Sequence, residues 1–241
     1  MTLLNLTDVK HNNLTLAFMM AISIFGLVLS VFVAIQPSPI VGDFSLRGLT
    51  AGSAFAAVCI LGIIAALFPS SCSAIPTFGK DIGHGQLKSD VHETILRAHH
   101  PSCDNYSTHI LNVGSMRCCA TCSGLLTGAI IALFANFVYF FAGLKLGDLS
   151  TLVWVGSAGV VLGLLQSGLP KVGGGLTRFF ASTVFVLGTF LMFVSMDSAV
   201  GSIAVDLFFV ALSVLWILTK IGLSQRDHEL TCSKCSSEYC K

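Results

Sequence analysis

Charged side chains are scarce in this chain of 241 residues. Asp, Glu, Lys and Arg make up 10% of it, against roughly 25% in an average soluble domain. A soluble protein of this length needs a charged surface towards water, and 13 Lys and Arg with 12 Asp and Glu are too few to provide one. The net charge of +1 also excludes the basic face of a nucleic-acid binder, so we expect no nucleic-acid partner.

Familiar catalytic motifs are missing as well. The sequence contains no phosphate-binding G-x-x-x-x-G-K-[ST] loop, no glycine-rich dinucleotide fingerprint after a strand and no G-x-S-x-G nucleophile motif. The sequence therefore does not indicate a reaction, and whether the protein is an enzyme stays open.

Apolar residues, in contrast, are abundant and are collected into six long blocks. A helix that spans a bilayer needs about 20 mostly apolar residues, and each block is close to that length. The predicted spans are Leu14–Ile35, Leu49–Phe68, Ala120–Gly143, Thr151–Leu169, Phe179–Met196 and Ser198–Thr219. We predict an all-α, polytopic membrane protein in the lipid bilayer, with a six-helix domain at 1–220, an inserted loop at 69–117 and a polar tail at 221–241.

The distribution of Lys and Arg predicts the orientation. With six spans, the N-terminus, the long loop, the connector KVGGGLTR between the fourth and fifth spans and the tail lie on one side, which receives eleven Lys and Arg. The other side receives two, Arg47 and Lys145. By the positive-inside rule, both termini and the loop are predicted to be cytoplasmic in a multi-pass protein of the cell membrane. Trp154 at an outer helix end and Trp216 at an inner one fit the aromatic belts of such proteins.

Seven of the nine cysteines fall in two clusters on this predicted cytoplasmic side. Disulfides are disfavoured in a reducing compartment, so clustered cysteines there indicate metal binding or thiol chemistry.

The first cluster contains the C-x-x-C pair Cys119 and Cys122 at the start of the third predicted span. Residues three apart in a helix share one face, and the helix N-terminus together with Arg117 favours the metal-binding thiolate. Zinc takes four nitrogen or sulfur ligands in a tetrahedron. The further candidate ligands of this cluster are His99, His100, Cys103, His109 and Cys118.

The stretch HHPSCDNYSTHILNVGSMRCCATCSGLLTG, residues 99–128, resembles the signature of a family of uncharacterised prokaryotic, chiefly archaeal, membrane proteins. Its members carry a His/Cys pair followed by C-x-x-C-x-G-x-x-x-G, which opens a transmembrane helix. Bacterial members have arginines where this chain has Tyr106 and Thr121, so roles of those arginines do not carry over. The resemblance implies no activity. It implies a site made by Cys103, Cys119 and Cys122 with His99, His100 and His109.

The second cluster lies in the tail, with the spacing H-x3-C-x2-C-x4-C. It consists of His228, Cys232, Cys235 and Cys240. Four ligands within thirteen residues suffice for a separate zinc module, in which the metal supplies the folding energy that an apolar core would otherwise give. Three alternatives stay open: the tail is disordered and its cysteines are incidental, these residues complete one site shared with the loop, or the cysteines carry lipid.

Within the predicted spans, ionisable and small residues give two further expectations. Asp206, about seven residues into the sixth span, is a functional candidate by its depth, with Gln166 and Asn136 as neighbours. Asp197 is expected in a solvated turn. The G-x-x-x-G pairs predict close helix packing; they are Gly124 with Gly128 and Gly159 with Gly163.

Three functional hypotheses follow. The first is a membrane protein with a cytoplasmic, structural zinc site that fixes the loop to the bundle, acting alone, as a homo-oligomer or as a subunit of a membrane complex. The second is a membrane-embedded enzyme, either a metal hydrolase or a thiol or iron redox protein. The third is a transporter that uses Asp206.

Overall fold

Six long helices and one short hairpin make up the described part of the chain. The computed structural model describes residues 3–36, 46–67, 109–113, 116–143, 148–169 and 173–232. The helices are α1 (Leu3–Ile35), α2 (Arg47–Leu67), α3 (Ala120–Phe140), α4 (Leu149–Gly168), α5 (Gly175–Val200) and α6 (Ile203–Cys232). The strands are β1 (Ile110–Val113) and β2 (Met116–Cys119). All six helices contain a stretch long and apolar enough to cross a membrane, which confirms the predicted all-α polytopic class.

Helix ends follow local sequence signals. Asp148 caps α4, because its side chain accepts a hydrogen bond from the backbone N–H of Thr151 at 3.1 Å. Gly201 ends α5 in the left-handed conformation at φ 67°, which glycine adopts without strain. The chain then re-enters a helix at Ile203. α5 and α6 are therefore joined by a very tight connection and lie next to each other in opposite directions.

Helix α5 is the centre of the bundle, with α3 and α4 packed closely against it. It has the largest buried share of the six spans, 61% of its most apolar window. A Cβ atom at Gly124 of α3 would collide with the backbone of Phe179, and one at Gly163 of α4 would collide with the side chain of Phe185. The predicted close packing at both G-x-x-x-G pairs is confirmed.

Aromatic rings join the outer helices to this centre. Phe55 of α2 stacks on Phe193 of α5 with ring centroids 4.8 Å apart, and Phe193 stacks on Phe209 of α6 at 6.0 Å. Trp216 is fully buried and its Nε1 donates to the carbonyl of Ser23 in α1 at 3.1 Å. The prediction of an interfacial Trp216 was wrong, because this indole holds α1 against α6 inside the bundle.

Strands β1 and β2 form an antiparallel pair that leads directly into α3. Ile110 lies opposite Cys119 and Val113 opposite Met116. The hairpin packs on the N-terminus of α5, where the carbonyl of Ile110 approaches Gly175 so closely that a Cβ atom would not fit. The predicted loop 69–117 thus ends in an ordered hairpin, while residues 68–108 lie outside the described part. We call this end of the bundle the hairpin end.

Helix α6 is longer than its apolar block. It continues to Cys232, so the predicted start of the polar tail at residue 221 falls inside the helix. Residues 233–241 lie outside the described part of the chain.

Candidate functional site

Three buried polar side chains meet at the hairpin end. Arg178, one turn into α5, donates from Nη1 to Oδ2 of Asp227 in α6 at 2.7 Å. The same Nη1 lies 3.3 Å from Nδ1 of His109, the residue before β1. The exposed fractions are 4% for Arg178 and Asp227 and 7% for His109. This hairpin-end cluster of His109, Arg178 and Asp227 joins the hairpin to two helices.

The hydrogen bond from Arg178 shows which ring nitrogen of His109 is the acceptor. A guanidinium N–H can only donate, so Nδ1 of His109 accepts and carries no proton. The proton of the neutral ring is then on Nε2, which faces Oδ2 of Asp227 at 3.6 Å. A metal ion at Nδ1 would have to displace Arg178, so the thiols are the better ligands in this arrangement.

The structure changes the predicted geometry of the C-x-x-C pair. Cys119 is not helical: it ends β2 and is the N-cap of α3, with φ −67° and ψ 120°. Cys122 lies in the first turn of α3. Their side chains occupy the N-cap and N3 positions, which face each other across the first turn of a helix, as in a capping box. The two cysteines therefore lie within one turn at the start of α3, but not on the shared helix face expected from the sequence, because Cys119 precedes the helix.

Cys118 is separated from this pair by the alternation of side chains along a strand. It precedes Cys119 in β2, and consecutive strand residues point to opposite faces. Both side chains are 9% exposed, and the described cysteines are not joined in disulfides. Cys118 thus offers a buried thiol next to the C-x-x-C pair but directed away from it.

The described side chains do not by themselves complete a metal site. Among them, no three His, Cys, Asp or Glu side chains converge as a metal site requires. The side chains of His228 and Cys232, at the end of α6, are outside the described set. The other predicted ligands outside the described residues are His99, His100, Cys103, Cys235 and Cys240.

A buried lysine near the hairpin end was missed by the sequence analysis, which placed Lys220 outside the sixth span. Its side chain is 1% exposed, and Nζ donates to the carbonyl of Gly163 at 2.8 Å and to Oγ of Ser167 at 2.9 Å, both in α4. The ring of Phe185 lies 5.1 Å from Nζ. The apolar run ends at Thr219, and only the continuation of the helix to Asp227 reveals that Lys220 is inside the bundle.

A second polar cluster lies at the opposite end. Arg47, the first residue of α2, donates from Nε to Oδ2 of Asp206 at 2.8 Å, and from Nη2 to the carbonyl and the carboxylate of Asp197. The hydroxyl of Tyr139 donates to Oδ2 of Asp197 at 2.8 Å. These four side chains, the opposite-end cluster, join α2, α3, α5 and α6.

This cluster corrects two expectations about the aspartates. Asp206 lies in the first turn of α6 rather than deep in the span, and it is fully buried with its carboxylate bound to Arg47. Asp197 belongs to α5 rather than to a solvated turn, and its side chain is 13% exposed. The sequence indication for both contacts is Arg47, one of only two Lys and Arg residues on the predicted outer side.

Neither predicted neighbour of Asp206 contacts it. Asn136 of α3 donates from Nδ2 to the carbonyl of Gly52 in α2 at 3.0 Å. Gln166 lies next to Ser167 near the C-terminus of α4, at the other end of the bundle from Asp206, and its buried Nε2 has no hydrogen-bond partner among the described residues. The expected intramembrane site of Asp206, Gln166 and Asn136 is therefore replaced by separate contacts.

The helices and the two clusters define a multi-pass, six-helix membrane protein. No family model, curated protein or solved structure matches the chain. The resemblance of residues 99–128 to a prokaryotic membrane-protein family stays a prediction.

Proposed function

We propose that this multi-pass protein of the cell membrane binds one structural zinc ion at its hairpin end, facing the cytoplasm. In this proposal, Cys119 and Cys122 at the start of α3 are the two ligands that the helix bundle supplies. The observation that carries it is the hairpin-end cluster, because the contacts of Asp227 with Arg178 and His109 hold the last turns of α6 beside the hairpin. The hairpin that carries the first cysteine cluster and the helix end that leads into the second are then held side by side.

Helix geometry gives the distance along α6 from Asp227, in the hairpin-end cluster, to Cys232, the first cysteine of the tail. Cys232 is five residues after Asp227 in α6, which is about 7.5 Å along the axis at a rise of 1.5 Å per residue. His109 itself precedes Ile110, whose strand partner is Cys119. The end of α6, from which the tail cysteines continue, thus lies near the hairpin that leads into the C-x-x-C pair. This proximity favours one shared site over two separate ones.

The ligand chemistry supports zinc. A structural zinc site takes four Cys or His ligands, and the C-x-x-C pair at the start of α3 supplies two cysteines within one turn of a helix N-terminus, where partial positive charge favours anionic sulfur. In one shared site, at least one of the remaining ligands comes from the tail and any other comes from the loop. They are chosen from His99, His100, Cys103, His228, Cys232, Cys235 and Cys240.

The role proposed for the metal is to fasten the loop and the tail to the bundle. A two-stranded hairpin is only marginally stable alone, and the tail has almost no apolar residues to form its own core. Metal binding supplies folding energy to such segments. The buried ion pair at one side of the hairpin and the metal on the other would hold both segments in place.

The metal assignment is tested by elemental analysis of the full-length protein in detergent. We expect zinc in the wild type, loss of zinc in the variant with Cys119→Ser and Cys122→Ser, and unchanged zinc in Cys59→Ser. Cys59 is the matched control because it is a buried cysteine in the hydrophobic core, within the middle turns of α2. Metal-free wild-type protein would refute the proposal, and iron with visible absorption would replace structural zinc by a redox site.

The cytoplasmic orientation rests on the excess of Lys and Arg on the hairpin side. It is tested with two reporters fused to the C-terminus, one that fluoresces only in the cytoplasm and one that is active only after export. We expect fluorescence from the first and no activity from the second. The reverse result would place the thiols outside and would remove the argument for reduced cysteines.

A further inference from the structure

We infer that the bundle binds one small monovalent anion, chloride or a small carboxylate, beside Lys220, between α4, α5 and α6. The observation that carries the inference is a buried lysine whose described partners are all uncharged, next to a buried amide donor that no described acceptor occupies. All of these groups lie in described helices, so the inference does not depend on the proposed zinc site.

The partners of Lys220 fix its side chain in place but do not compensate its charge. Nζ donates to the carbonyl of Gly163 at 2.8 Å and to Oγ of Ser167 at 2.9 Å, and the ring of Phe185 lies 5.1 Å from it. Carbonyl groups near the C-terminus of a helix and the face of an aromatic ring both favour a positive charge. The ammonium is therefore held as a cation inside the bundle, where the residue is 1% exposed.

The acidic side chains described in the three surrounding helices do not neutralise this charge. α4 contains no Asp or Glu. Asp197 and Asp206 belong to the opposite-end cluster. Asp227 lies seven residues after Lys220, about 10.5 Å along the axis of α6, and is already paired with Arg178. Burying a charge without a counter-charge is strongly unfavourable, so these helices lack one negative charge beside Lys220.

Gln166 supplies a second donor on the same face of α4. Residues three and four positions apart share a helix face, so Gln166 lies on the side of α4 that carries Gly163 and Ser167. It is 9% exposed, and its buried Nε2 has no hydrogen-bond partner among the described residues. An amide nitrogen can only donate. A water molecule would satisfy this amide but would not neutralise the ammonium of Lys220, whereas an anion does both.

The position of the site near the end of α4 favours a small ion. Ser167 is the last residue but one of α4, and Gly168 after it is exposed, so an ion has a short path to the site from the hairpin end. The helices are closely packed there, because a Cβ atom at Gly163 would collide with the side chain of Phe185. Chloride and formate are small enough to bind between such helices, whereas gluconate is too large.

The experiment measures thermal unfolding of the full-length protein in detergent, in the sodium salts of chloride, formate and gluconate at equal ionic strength. An ion that binds only the folded state raises the unfolding temperature as its concentration increases. We expect unfolding a few degrees higher in chloride or formate than in gluconate, with a further rise as chloride replaces gluconate. Stabilisation by chloride alone or by formate alone also supports the site and identifies its ligand. Equal unfolding temperatures in the three salts would overturn the inference.

Variants locate the effect at the site. Lys220→Met should unfold at one temperature in all three salts, because the charge that requires the anion is gone. Gln166→Leu should reduce the difference between chloride and gluconate while Lys220 remains. Arg226→Ala is the matched control, since it removes an exposed cation of the same helix and should keep the full difference.

The double variant with Cys119→Ser and Cys122→Ser should also keep the full difference between the salts, which separates this site from the proposed zinc site. An undiminished difference in both Lys220→Met and Gln166→Leu, or its loss in Arg226→Ala, would show that the anion acts elsewhere and would overturn the inference. Gln166→Leu gives this answer even if Lys220→Met does not fold.

Discussion

Asp227 of α6 accepts a hydrogen bond from Arg178 of α5 at 2.7 Å, and each residue is 4% exposed. The pair lies beyond the apolar run of α6, where the sequence indicates a solvated tail. Since a charge pair is buried only where helices surround it, the bundle extends at least to residue 227. The hairpin lies against the same pair through His109, so the end of α6 and the end of the long loop are parts of one packed structure.

Asp227→Asn should lower the stability of the bundle strongly. The substitution leaves the buried Arg178 without its carboxylate, and breaking a buried pair in this way costs about 3–5 kcal/mol. Thermal unfolding in detergent measures the effect. Arg226→Ala is the control, because the neighbouring Arg226 is exposed and its loss should change stability by less than about 0.5 kcal/mol. Equal effects of the two variants would contradict the buried pair.

Gly124→Ala should destabilise the contact between α3 and α5. The new Cβ atom would collide with the backbone carbonyl of Phe179, which cannot rotate away as a side chain can. Overpacking of this kind costs about 1–3 kcal/mol. Gly62→Ala in α2 is the matched control, because no atom of the described residues outside its own helix backbone lies within 4 Å of its Cβ position, and it should unfold at the wild-type temperature or slightly above it. A destabilised Gly62→Ala beside a neutral Gly124→Ala would refute this packing.

Arg47→Lys should fail to replace arginine in the opposite-end cluster. Arg47 uses Nε for Asp206 and Nη2 for Asp197, and a lysine ammonium lacks this planar fork. We expect a loss of about 1–3 kcal/mol, as when a buried polar group loses its partner, and a larger loss for Arg47→Ala, which leaves two carboxylates without a cation. Differential scanning calorimetry in detergent ranks the three proteins. Wild-type stability in Arg47→Lys would show that charge alone, without the fork, is sufficient.

Lys220→Met should leave the fold intact. Lys220 makes no ion pair among the described residues, and its acceptors remain satisfied without it, because Ser167 Oγ still donates to the carbonyl of Gly163 at 3.2 Å. Replacing a buried charge by an apolar side chain of similar length is often neutral or stabilising. Unfolding temperature is the measurement, with Ser167→Ala as its companion. A clear loss of stability in Lys220→Met would give the ammonium a structural role at the end of α4.

The spans were predictable because each depends on one long apolar run, and the bilayer requires helices for such runs. The close contacts of α5 were predictable for a similar reason, since glycines four residues apart indicate close helix packing. The hairpin was not found, although Gly114-Ser115 between ILNV and MRCC is a dipeptide typical of a two-residue hairpin connection. Strands of four residues give too weak a pattern to stand out from the polar loop.

The side chains that bind the buried charged residues could not be predicted from the sequence. Asp206 stood out by its position, but the residue that binds it is 159 positions away in α2. The position of His109 before a C-x-x-C motif predicts a metal ligand, and nothing in the neighbouring sequence indicates its contact with Arg178. Such contacts depend on how the helices pack, whereas the adjacency of Cys119 and Cys122 is fixed by three residues of chain.

Counting zinc in two cysteine variants tests the shared site most directly. One variant replaces Cys119 and Cys122 by Ser, and the other replaces Cys232, Cys235 and Cys240 by Ser. One shared tetrahedral site predicts about one zinc per wild-type chain and loss of that zinc in either variant. Two zinc ions per chain that are lost independently, or no zinc at all, would contradict it.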